Sequence, residues 1–205
     1  MKLNKIEKAL MNNPLRAFSQ RHHEARIFEK FGGKTSGQKV LEIGCGQGVG
    51  TEIILDRFGA REVDAFDLDP DMVERARERL ARFPQGTLNL CTGDASKIAA
   101  PDNNYDAVFD FGIIHHVPVW QDAVKEVARV LKPGGKFYFE EVTKAALDSR
   151  LYRTLFVHPS ENRFSAAQFI DELDKSGIQV GSNFRHWLFG DLFMGVGIKN
   201  TKENR

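Results

Sequence analysis

Residues 40–51 read VLEIGCGQGVGT, an apolar run carrying the carboxylate Glu42 and followed by Gly44, Gly46, Gly48 and Gly50 at alternate positions. A short apolar run bounded by glycines reads as a buried strand, and amphipathic spacing from about Val49 to Phe58 reads as the helix after it. A strand, a tight glycine turn and a helix start form a crevice at the carboxyl edge of a parallel sheet, where such folds bind ligands. Glycine lets a ligand approach the backbone, and the free N–H groups of the helix start favour a carboxylate or phosphate.

The same rhythm extends in both directions. Downstream come EVDAF, a helix opened by Asp69 and Pro70, TLNLC, the turn-rich PDNN, YDAVFDF, a helix from about Val119 to Leu131, and KFYFEEV. Repeated strand and helix predicts an α/β architecture, a mostly parallel sheet with helices on its faces. In the last of these helices Trp120, Val124, Val127 and Leu131 recur at steps of three and four, which marks one buried stripe. Past Val142, Ser165 and Gln168 have capping-box spacing and open a helix that Gly177 ends. Two apolar runs follow, IQVGSNFRHWLF and LFMGVGIKN, separated by Gly190 and Asp191 alone. So short a connection allows only antiparallel neighbours, so the sheet should end in a hairpin. Upstream, Asn13 and Pro14 suit the start of a helix running to about Phe31 and stopped by Gly32 and Gly33.

The 205 residues fit one domain able to bury its own core. Twenty-nine Lys and Arg against 28 Asp and Glu give a formal charge of +1, too little for a general field that draws in nucleic acid or an anionic membrane. Two cysteines, Cys45 and Cys91, are too few for a disulfide framework and are expected as small buried residues in a reducing cytoplasm. No apolar run reaches membrane-spanning length, and MKLNKIEKALMNN lacks the features of a signal peptide, so the expected location is cytoplasmic.

Asp67 ends the strand after the glycine loop, 21 residues beyond Gly46. That spacing matches the acid that hydrogen-bonds a ribose, and points to a nucleoside-containing cofactor. The dinucleotide fingerprint needs glycine at its sixth position; counted from Gly44 or Gly46, that position holds Val49 or Thr51. The nicotinamide pattern therefore fails in both registers.

Taken in order, these segments resemble the class I S-adenosylmethionine-dependent methyltransferases over roughly residues 38 to 142, in particular small-molecule enzymes of the ubiquinone and menaquinone type. EIGCGQG is similar to the family's acidic glycine loop, VDAFDLDPDMVERAR to its second-strand segment, CTGDASKI to its adenine segment, and YDAVFDFGIIHHV with VARVLKPGGKFYFEEV to its fourth and fifth strands. The resemblance implies a Rossmann-like, doubly wound sheet of seven mostly parallel strands with an antiparallel C-terminal hairpin strand. It also implies a helical cap or lid over residues 1–35 and a methyltransferase domain over residues 36–200. S-adenosyl-L-methionine is the cofactor it implies. Gly44, Gly46 and Gly48 would form the cofactor loop, with Glu42 orienting that loop or meeting the ammonium group. Asp67 would take the ribose hydroxyls and Leu68 would pack beside the adenine. Asp94 and the Ala95 N–H would read the adenine edge, and Asp110 would sit near the ammonium and the reacting methyl.

For the acceptor side, His115 and His116 follow the fourth strand, and either could serve as a general base near neutral pH. Adjacent histidines rarely point at one ion and no third ligand stands nearby, so no metal is expected. Glu140 and Glu141 end the fifth strand on opposite faces; period two groups Glu141 with Phe137 and Phe139 and makes it the candidate. The N-terminal segment, with Arg16, Arg21, His22, His23 and Arg26, could dock as a solvated helix, or close over an anionic or lipid-like small molecule and touch a membrane surface. LYRTLFVHPSENRF, with Tyr152, Arg153, Phe156 and His158, would be the other lid element. Transfer of a methyl group to a small-molecule acceptor is the leading reading. A nucleic-acid methyltransferase, a non-catalytic cofactor-binding domain and a nicotinamide oxidoreductase stand as alternatives.

Overall fold

The structure is a computed structural model that describes residues 13–148, 162–187 and 190–201. Five strands, β1 (Lys39–Ile43), β2 (Glu62–Asp67), β3 (Leu88–Thr92), β4 (Tyr105–Phe111) and β5 (Leu131–Val142), lie parallel in the order β3-β2-β1-β4-β5. The chain winds outward from β1 to β3 and then returns to the other side of β1 as β4. The crevice between β1 and β4 is therefore the switch point at which open sheets of this kind take ligands.

β8 (Leu192–Lys199) runs antiparallel beside β5. Its other edge carries both β6 (Ile178–Gln179), opposite residues 198–199, and β7 (Phe184–Trp187), opposite residues 192–195. The expected hairpin is present, but its first apolar run is broken at Val180–Asn183, where Gly181 takes φ 57°. Among the described residues eight strands thus fill seven positions, one strand more than expected, with the topology unchanged.

Helices cover both faces. On one face, α1 (Pro14–Ser19), a π-helical turn (Gln20–Glu24) and α2 (Ala25–Gly32) follow without a break. They pack with α3 (Val49–Ile53), its π-helical continuation (Ile54–Phe58) and α4 (Pro70–Leu80) around Phe28, Phe58, Phe109 and Tyr138. Asn13 caps α1 through its side chain, and Pro14 takes the first helical position. On the other face, α5 (Trp120–Val130) and α7 (Ala166–Lys175) pack over Phe137, Phe139 and Phe193. The stripe Trp120, Val124, Val127 and Leu131 is buried, and Ser165 with Gln168 forms the complete capping box that starts α7. A short helix, α6 (Lys144–Asp148), follows β5.

Two expectations change here. Cys45 is buried as expected, whereas Cys91 is exposed because β3 is the edge strand of the sheet. The apolar residues of the N-terminal segment do not form one stripe: Ala25 and Phe28 are fully buried, but Leu15 and Phe18 are 81% and 65% exposed. The π turn between them adds a residue to the helical circuit and changes which side chains face the sheet. Tyr152, Arg153, Phe156 and His158 lie outside the described residues. No helix among the described residues is long and apolar enough to cross a membrane.

Candidate functional site

A pocket opens at the carboxyl ends of β1, β2 and β4, where the glycine loop, the start of α4 and the segment after β4 meet. Glu42, Gly44, Gly46, Asp67, Leu68, Asp94 and Ala95 all line it. Gly48 does not; it takes φ 86° and caps α3 beside Ala76 and Leu80.

Two glycines show why the loop excludes side chains. Gly44 takes φ 67°, and an added Cβ would fall 2.5 Å from Ile113. Gly46 takes φ 52°, and a Cβ there would meet no protein atom within 4 Å, standing instead in the open space of the pocket. Asp67 ties this loop to the next one. Its Oδ2 accepts from the Gly46 N–H at 2.9 Å and its Oδ1 from the Asp69 N–H at 2.9 Å. Asp67 also lines the pocket, which puts a carboxylate in the wall that a hydroxyl pair would meet. Asp69, 5% exposed, caps α4 as its place before Pro70 suggests.

Glu42 is 1% exposed, accepts from the Thr51 hydroxyl and packs against Gly50. Burial pushes its carboxyl up to about 8 against the pull of Thr51, and Asp67 and Asp110 add to the rise. A carboxyl that costs this much to ionise alone is suited to an incoming cation. Asp94 binds the N–H and hydroxyl of Ser96 through Oδ1, at 2.8 and 2.7 Å, which shapes the turn presenting Ala95. Phe66, Leu68, Met72 and Ala95 give this end of the pocket apolar walls.

Known sequence patterns and solved folds match this chain. The methyltransferase domain pattern matches residues 41–139. A protein of Mycolicibacterium smegmatis named as an S-adenosylmethionine-dependent methyltransferase is 31% identical over 163 residues, 78% of this chain and 59% of that one. The demethylmenaquinone methyltransferase of Tropheryma whipplei is 36% identical over 124 residues, 60% of this chain and 50% of that one. Residues 41–139 thus carry a methyltransferase domain pattern, and the chain is similar in sequence to S-adenosylmethionine-dependent methyltransferases. An Aquifex aeolicus S-adenosylmethionine-dependent methyltransferase structure shares the fold, with TM-score 0.74 at 22% identity over 96% of this chain and 99% of that one. The chain spans 59% and 50% of the lengths of these two relatives.

The residues present fit an S-adenosyl cofactor on this protein's own observations: the room at Gly46, the Asp67 carboxylate in the pocket wall and the buried carboxyl of Glu42. The acceptor-side expectations divide. His116 lines the pocket with Phe111, Ile113, Val117 and Pro118. Asp110, His115 and Glu141 do not line it; they are 0%, 8% and 0% exposed and stand behind the wall. Asp110 Oδ1 accepts from the Gly112 and Ile113 N–H groups at 2.9 and 2.8 Å, and its Oδ2 has no hydrogen-bond partner among the described residues. Burial first, then the neighbouring Glu141 carboxyl, push Asp110 well above the ordinary range. Glu141 accepts from the Ile114 N–H at 2.6 Å and lies 2.6 Å from His115 Nδ1, and burial raises it to about 7. Asp110 thus stands behind the pocket wall, with its Oδ1 held by the N–H groups of the following turn.

Three of the N-terminal basic side chains, Arg16, Arg21 and His23, have partners outside the pocket. Arg16 is ion-paired to Glu24 and Glu140, and Arg21 to Glu52. His23 stacks on Trp187 at 3.8 Å between ring centroids. What the π turn does bring to the pocket is Gln20, a residue the sequence did not single out. Met72 and Gln47 were likewise missed, and no local signal marks them.

Proposed function

We propose that this protein is an S-adenosyl-L-methionine-dependent methyltransferase acting on a small molecule. The observation that carries the reading is the joint grip of the glycine loop and Asp67 on one pocket wall, with the Gly46 N–H and the Asp67 carboxylate already bonded. When bound, the cofactor supplies a methyl group on a sulfonium, a leaving group activated by its own charge.

Every other part of the reaction falls to positioning. Asp67 would hold the ribose hydroxyls, Leu68 and Met72 would cover the base, and Asp94 with Ala95 would read its edge. Glu42 would meet the ammonium group at the foot of the Gly44 loop. The acceptor nucleophile would enter past Phe111, Ile113, Val117 and Pro118, an apolar wall suited to a lipid-like or aromatic body. In-line displacement asks that nucleophile and methyl carbon be held about 3 to 3.5 Å apart, with water excluded. His116 is the titratable side chain on that wall, and it would take a proton from a hydroxyl or phenol acceptor.

Among the described pocket residues are Glu42, Asp67, Asp69 and Asp94 and no Lys or Arg. Negative walls suit a cationic cofactor and disfavour a nucleic-acid backbone, which counts against the nucleic-acid reading. The test is consumption of cofactor across an acceptor panel that includes reduced demethylmenaquinone and simple phenols, read as S-adenosylhomocysteine formed. Turnover with one member and loss of turnover in Asp67→Ala would support the reading. Tight S-adenosylhomocysteine binding with no turnover across the panel would favour the non-catalytic alternative.

A further inference from the structure

The last residues of β5 put two carboxylates side by side, and neighbours on a strand point to opposite faces. Both are buried, Glu140 at 3% and Glu141 at 0% exposure. On one face Glu140 Oε2 accepts from Arg16 Nη2 at 2.8 Å, and the other end of that guanidinium pairs with Glu24. Gln20 lies four residues from each of Arg16 and Glu24, so the ion-paired residues bracket the one that lines the pocket. On the opposite face Glu141 binds the Ile114 N–H and the His115 ring. Asp110 holds the two preceding N–H groups, so residues 112–115 are fixed by two carboxylates and His116 follows directly. The His115 and His116 rings lie 4.2 Å apart between centroids, so fixing the first ring constrains the second.

Burying charge is costly and is tolerated only where bonds offset it. Apart from the Val142 N–H, which Glu141 also accepts at 3.2 Å, those bonds end on the two segments that supply Gln20 and His116. We propose that Glu140 and Glu141 are positioning residues for the acceptor, Glu140 clamping the cap that presents Gln20 and Glu141, through His115, the turn that presents His116. Gln20 and His116 are then the pair of polar groups between which the acceptor is oriented. This rests on the methyltransferase reading above, but it is tested without a known acceptor.

The probe is S-adenosylhomocysteine bound to the full chain, compared among wild type, Glu140→Gln, Glu141→Gln and His115→Gln. Calorimetry comes first: no binding to wild type would sink the methyltransferase reading itself, apart from anything the clamps do. With binding present, hydrogen exchange and imidazole NMR are read on the complexes. Glu140→Gln should speed exchange across residues 14–24 by about tenfold or more, the loss expected for a charged hydrogen bond, and leave residues 112–117 protected. Glu141→Gln should do the reverse, and it should broaden or split the His116 imidazole correlations while those of the surface residues His22 and His186 hold still. His115→Gln keeps the Glu141 bond to Ile114 and should give the same His116 signature, which covers the case in which Glu141→Gln does not fold. Cofactor-product affinity should stay within about threefold throughout, since none of these residues lines the cofactor end. Sharp, unshifted His116 signals in both turn variants would overturn the proposal. So would a collapse of S-adenosylhomocysteine affinity in folded Glu140→Gln or Glu141→Gln, because it would assign the carboxylates to the cofactor.

Discussion

Glu42→Gln should change how many protons leave when the cofactor site fills. Glu42 is buried and its carboxyl titrates at about 8, so at pH 7 it is about nine-tenths protonated. An ammonium group docking beside it favours the charged form and drives the proton off. Wild type should therefore release up to about 0.9 proton more than Glu42→Gln at pH 7, and about 0.1 more at pH 9. The same linkage makes wild-type affinity at pH 7 about elevenfold weaker than its plateau at high pH, because the site must first be ionised. Glutamine keeps an oxygen to accept from Thr51 and removes the titration, so the difference between the two proteins isolates Glu42 from the ligand's own amine. The assay is calorimetry with S-adenosylhomocysteine in buffers of different ionisation enthalpy. Equal proton release from the two proteins at pH 7 would refute the reasoning, as would a difference that grows toward pH 9.

Other expectations follow from the same structure. Asp67→Ala should weaken S-adenosylhomocysteine binding by at least tenfold, or ~1.4 kcal/mol, by deleting a charged acceptor, and calorimetry checks it. For the ligand-free protein, the folded-state values of Glu42 and Glu141, about 8 and about 7, lie above the ordinary 4.5, so the folded state holds the extra protons. Their stabilisation is complete below about pH 4.5 and is lost as pH rises through 7 to 8, so melting temperature should fall between pH 6 and 8.5 in thermal scans. Ser165→Ala removes the side-chain half of the capping box and should cost about 1 kcal/mol in denaturant unfolding, with S-adenosylhomocysteine affinity unchanged.

What was legible in the sequence was local. The glycine loop, the spacing to Asp67, the Asp69–Pro70 helix start, the Trp120 stripe and the capping box each declare themselves within about one supersecondary unit. What was not legible depends on how units meet. Asp110 and Glu141 sit at strand ends where a ligand contact is the natural expectation, but the turn after β4 folds back and its N–H groups take both carboxylates. Cys91 is exposed because β3 lies at the sheet edge, and strand order cannot be read from a strand's own residues. The π turn shifts the phase of the N-terminal helix, turning Leu15 and Phe18 outward and Gln20 into the pocket. Period two did separate Glu140 from Glu141 correctly; it could not say that each would end on a protein partner.

The most direct test of the central claim is a crystal structure of the protein grown with S-adenosylhomocysteine. The account expects density along the glycine loop, with both ribose hydroxyls on Asp67 and the amino-acid tail reaching Gly44 and Glu42. An empty loop, with the ligand bound elsewhere or the ribose turned away from Asp67, would contradict it.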